Sequence, residues 1–111
     1  MKSKYLIMAV MLAMAGSATA QGTGAKSTAS SEYMSENKKM MDKMGSMKMT
    51  GDADKDFAMM MTSHHQGAVD MANIELKHGK DPKMKAMAQK IIDTQPKEIK
   101  DMQDWLNTQK K

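Results

Sequence analysis

Two adjacent histidines, His64 and His65, have a methionine, Met61, three and four residues before them, and a second, Met60, four before His64. Side chains at those offsets are neighbours on a helix, so a thioether sulfur and an imidazole nitrogen can converge on one ion from a single turn. His64 and His65 themselves project about 100° apart at 3.6 residues per turn. They are therefore not expected to chelate one ion as a simple pair. One ring is expected to face inward across a neighbouring helix, and the other to serve a second ion or the helix edge. Ligand softness selects the metal: thioether with imidazole suits Cu(I) and, by chemical similarity, Ag(I). Zinc would want cysteine or more histidine, and calcium or magnesium would want convergent carboxylates. The sequence holds no cysteine, which also excludes disulfides, iron–sulfur clusters and a thiol nucleophile. Upstream, Met40-Met41-x-x-Met44-x-x-Met47-x-Met49 supplies five further thioethers in ten residues.

The same residue types also build cores. Met84, Met87 and Met102 fall at helical spacing and read as core packing. His78 lies at the end of a helical segment, where it reads as a dipole partner rather than a ligand, and Asp52 and Asp54 read as helix caps. Met47 and Met49 lie outside any helix, between Gly45 and Gly51, and read equally as ligands or as exposed sinks for oxidant.

The elements that must position these residues are helices. The 111 residues allow one small domain. Residues 1–20 form a signal-peptide pattern: Lys2 and Lys4, an eleven-residue apolar run from Tyr5 to Ala15, and Ala18-Thr19-Ala20 as a cleavage site. Export to the periplasm, or secretion, follows as the expectation, with Gln21 as the mature N-terminus. Neutral methionine ligands suit such an oxidising compartment. Cleavage takes two lysines and leaves 15 Lys against 13 acidic residues. Both signs are interleaved, so the surface reads as solvated rather than as a nucleic-acid footprint. No other apolar stretch approaches the length of a membrane span.

Residues 21–31 are Gly/Ser/Thr/Ala-rich and read as a disordered linker. Residues 32–51 read as a Met-rich helix, Glu32 to Met44, ending near Gly45 and followed by a loop. Residues 52–109 read as a helical hairpin. Its first helix starts at Asp52 or Asp54 and stops at Gly79. Its second opens on Asp81-Pro82, a cap followed by proline at the first helical position. Pro96 is expected to kink or divide that helix. So short a connection makes the two helices antiparallel neighbours. No alternating strand pattern occurs, so the fold class is all-α. Beyond residue 20 there are thirteen Met but only seven Leu, Ile and Val. A hairpin so poor in branched aliphatics needs further cover, from the Met-rich helix or from a second chain as a homodimer.

The string Asp54-x-x-Phe57-x-x-x-Met61-x-x-His64-His65-x-x-Ala68-Val69-x-Met71-Ala72, continued by Ile91-Ile92-x-x-Gln95-x-x-Glu98-Ile99-x-x-Met102-x-x-Trp105-Leu106, resembles the signature of domain-of-unknown-function family 305. The resemblance implies a ferritin-like helical bundle. Through CopM-like members it also implies a periplasmic protein that binds copper and silver and aids metal tolerance. It points to Met61, His64, His65, Met71 and Met102 as ligands, to which Met60, Met44, Met47 and Met49 are added from the spacing above.

The leading expectation is thus a Cu(I)- and Ag(I)-binding protein that sequesters copper or passes it to other periplasmic copper-handling proteins, without enzymatic activity. Two alternatives remain: a metal-dependent oxidase, and a Met-rich helical interaction module with an adaptable apolar groove. Against the oxidase, no acid–base pair is positioned beside the histidines.

Overall fold

The computed structural model describes residues 25–110, with side chains from Thr28 onward. The signal-peptide reading of residues 1–20 and the first four residues of the expected linker lie outside them. The described chain forms three helices: α1 (Ala25–Ser46), α2 (Ala53–His78) and α3 (Pro82–Thr108). The fold is all-α, an antiparallel hairpin preceded by a shorter helix.

α1 begins seven residues before the expected Glu32. Residues 25–31 belong to the helix and not to a linker. Their serines and threonine suggested a linker, but they contain neither glycine nor proline, and Ala25 and Ala29 favour helix. The other boundaries follow the sequence. Asp52 caps α2, its carboxylate accepting from Lys55 N at 3.0 Å. Gly79 closes α2, its N–H donating to Glu75 O at 2.6 Å. Asp81 caps α3 by accepting from Met84 N at 3.0 Å, with Pro82 at the first position. α3 is not divided at Pro96: it runs continuously through the ring, which leaves the Ile92 carbonyl without its usual partner four residues on.

The connection between α1 and α2 is held by one carboxylate. Asp56 accepts from Thr50 N and Thr50 Oγ1, both at 2.8 Å, and from Gly51 N at 3.1 Å. Gly51 has φ +85°, a left-handed conformation that costs glycine nothing. These bonds, from Thr50 first, hold the Asp56 carboxyl below its ordinary range.

α2 is the central helix. It packs against α1 on one side and α3 on the other, and α1 and α3 make no close approach to each other. Small residues line the seams. Ala58, Ser63, Gly67, Ala72 and Ile74 of α2 are buried, with Ala88 of α3, and no large side chain among the described residues is fully buried. Gly67, a weak point by propensity, lies directly against Met40 of α1. A Cβ there would collide with the sulfur of Met40. Alanine needs only that flexible sulfur to move. Leucine cannot be accommodated without displacing α1, so Gly67→Leu should destabilise by about 1–3 kcal/mol, as overpacking does. Thermal denaturation of the two variants checks this, and equal melting temperatures would contradict the contact.

The far end of α1 is tied to the end of α2 by polar groups. The Glu32 carboxylate accepts from Lys77 Nζ and His78 Nε2, both at 2.8 Å, and Tyr33 Oη donates to Glu75 Oε2 at 3.1 Å. His78 therefore sits at the helix C-terminus as expected, and closes an interhelical pair there. Burial first, then the bond to Glu75, raises the Tyr33 hydroxyl. The bond from Lys77, then that from His78, holds the Glu32 carboxyl below its ordinary value of 4.5. A carboxyl that is more acidic in the folded state stabilises the fold at higher pH and loses that contribution as pH falls through its folded value. The protection of amides at the start of α1, relative to the unstructured rate at the same pH, should therefore fall below about pH 4.5. Glu32→Gln should lower it already at neutral pH and flatten the acid response. An identical acid response in that variant would show that the clamp does not matter.

Candidate metal centre

The two adjacent histidines part company, as their 100° offset requires. His65 lies in the seam between α2 and α3, with its side chain 14% exposed, and its Nε2 is 2.7 Å from Glu98 Oε2. A carboxylate oxygen accepts, so Nε2 carries a proton, and in the neutral ring Nδ1 keeps its lone pair. That Nδ1 is buried and has no hydrogen-bond partner. An imidazole oriented through one nitrogen by a carboxylate, with its other nitrogen bare, is arranged as metal-ligating histidines are.

The helix register brings thioethers to the same level. α2 and α3 are antiparallel, and His65 meets Glu98. One turn back from His65 is Met61, and one turn on from Glu98 is Met102. Both are half-buried. Met102 also lines an open cleft of about 440 Å³ with Phe57, Ala58 and Trp105. Met61, His65 and Met102 thus share one station of the hairpin. Gln95, one turn before Glu98, turns a second unpartnered buried atom, Oε1, toward the interior.

His64 is exposed and lies to the side of that seam. Met60 precedes it by one turn on the same flank and Met71 follows by two, so Met71 belongs with His64 and not with His65. From the contact of Met40 with Gly67, one turn on in α1 and one turn back in α2 bring Met44 level with Ser63 and His64. Met44, Met60 and His64 thus form a second, more open group, with Met71 about 10 Å further along the same flank. Met47 is half-buried just beyond α1, where its N–H donates to Met44 O at 3.3 Å. Met49 is exposed in the loop, and neither group includes it. The expected set therefore falls into two groups, with Met71 further along the second flank and Met47 and Met49 in the loop. Among the described residues, no group of three or more His, Asp or Glu side chains is placed to hold a metal. The nitrogen donors here have thioether neighbours instead.

Glu98 is the residue that sequence reasoning missed. It stands four residues before Met102 on α3. Recognising it needed the register between the helices, which neither segment shows alone.

No curated protein matches the chain. The sequence matches the domain of unknown function DUF305 over residues 4–108, nearly its full length, and the chain belongs to the DUF305 family.

Proposed function

We propose that this protein binds Cu(I), and Ag(I) by the same chemistry, as cargo to be sequestered or handed on, in the manner of the CopM-like members of the family. The observation that carries this reading is the bare, buried Nδ1 of His65. Its ring is anchored by Glu98, and Met61 and Met102 stand at its level. One imidazole and two thioethers make a neutral, soft donor set, which favours a monovalent soft ion over Zn(II). The group around His64 is a second, weaker position of the same kind. Such a role fits an exported protein that contributes to copper tolerance and delivers to other copper-handling proteins of the periplasm.

Native mass spectra of the protein with Cu(I), Ag(I) and Zn(II) in turn test the reading. Adducts with the first two, retained against a competing chelator, and none with zinc are expected. Zinc retained more tightly than copper would overturn it.

A further inference from the structure

The three helices lie side by side in one layer, and its two broad faces differ. One face carries the clefts lined by Glu36, Lys39 and Asp70, by Asn73 and Lys77, and by Lys55 and Gln103. Both lysines of α2 are there. The other face carries the Tyr33–Glu75 bond and the cleft between Phe57 and Trp105. Helical phase at 100° per residue turns Met60, His64, Ala68 and Met71 of α2 onto this second face. It also turns Met34, Met41, Phe57, Met84, Met87 and Trp105 onto it or to its edge. Those last six are all exposed, from Trp105 at 38% to Met34 at 68%. An apolar surface of this extent, crossed by Glu75 and Glu98 and flanked by Asp54 and Asp101 at the Phe57–Trp105 cleft, marks an interaction site.

Its size and the rest of the sequence indicate what covers it. α2 and α3 are each about 39 Å long at 1.5 Å per residue. Three helices spaced about 9 Å apart give a face on the order of 1,000 Å². A stable interface needs about 800 Å² per partner. The apolar stretch of this sequence outside the described residues, Tyr5–Ala15, would reach only about 16 Å as a helix. A second copy has the full length and presents the same methionines and aromatic rings. We propose that two copies pair through this face about a two-fold axis, giving a six-helix homodimer with a Met-rich interior that encloses His64. The pairing rests on apolar burial and is independent of metal.

Light scattering and sedimentation of the protein in copper-free buffer with a Cu(I) chelator test it. A dimer at about 50 μM is expected, by mass action on an interface of this size. Phe57→Lys with Met87→Lys should weaken it at least about tenfold with helix content retained, whereas Lys39→Glu with Lys55→Glu, on the opposite face, should leave it unchanged. A monomer throughout overturns the proposal, as does a dimer that forms only with Cu(I) or one broken by the opposite-face pair alone. Should the double-lysine variant lose its helix signal, single cysteines decide, since the chain has none of its own. A short bismaleimide should link Ala68→Cys into covalent dimers and fail to link Asn73→Cys. The reverse result overturns the proposal.

Discussion

His65→Ala should lower the affinity for the first Cu(I) by about two orders of magnitude or more, because it removes the one nitrogen donor of the seam and leaves only thioethers. Glu98→Gln keeps an acceptor for Nε2 but loses the negative charge, and should cost about tenfold. Glu98→Leu frees the ring altogether and should approach about a hundredfold, the upper range for outer-shell partners of a metal-bound histidine. His64→Ala should leave the first equivalent almost untouched and remove a weaker second one. Protons compete with metal for imidazole, so wild-type affinity should fall in acid, whereas that of His65→Ala, with only thioethers at the site, should be nearly flat. Helix content should survive in each case: alanine is the better helix former, and the Glu98 side chain is 56% exposed. A competition titration with a chromogenic Cu(I) chelator measures all of this. If His65→Ala binds as tightly as wild type near neutral pH, His65 is a core residue and the copper chemistry must lie in the methionines alone.

Pro96→Ala should stabilise the protein by about 1–3 kcal/mol. A proline in a helix interior removes one hydrogen bond and crowds the preceding turn, at a cost of roughly 3 kcal/mol. For a domain of this size each 1 kcal/mol raises Tm by about 4–8 °C, so the change is readily seen by circular dichroism. The same variant reports on the metal centre, because Pro96 lies between Gln95 and Glu98. A rise in Tm with unchanged Cu(I) affinity would show that the ring is not needed to place the carboxylate. A fall in Tm would contradict the idea that the proline is a net cost to the helix.

The helices were legible in the sequence wherever a cap was written into it. Asp52, Gly79, Asp81 and Pro82 each mark a boundary that local chemistry determines. α1 was misread at its start because Ser-Thr-Ala-Ser-Ser is neutral toward helix. Its fate is decided further along, by the packing of Met40 on Gly67 and the pairing of Glu32 with Lys77 and His78. The candidate site was half legible. The spacing of Met61, His64 and His65 follows from helix geometry alone, and so does the divergence of the two rings. Which ring turns inward depends on where α3 lies, and the partnership of Glu98 with His65 depends on the register of two helices. Sequence periodicity shows that two stripes face each other. It does not show which turn meets which.

Because α1 touches only α2, and α2 touches α3 across a three-residue connection, every long-range contact in the described chain joins helices that are consecutive in sequence. Contact order is correspondingly low. Domains dominated by such local pairings close small loops and fold in microseconds to milliseconds. The chain can assemble one hairpin at a time, in the order in which its helices become free, and neither step must wait for a distant strand or terminus. A layer built this way can also be taken apart in stages: α1 can lift from α2 and return while the α2–α3 seam, with Met61, His65 and Met102, stays closed.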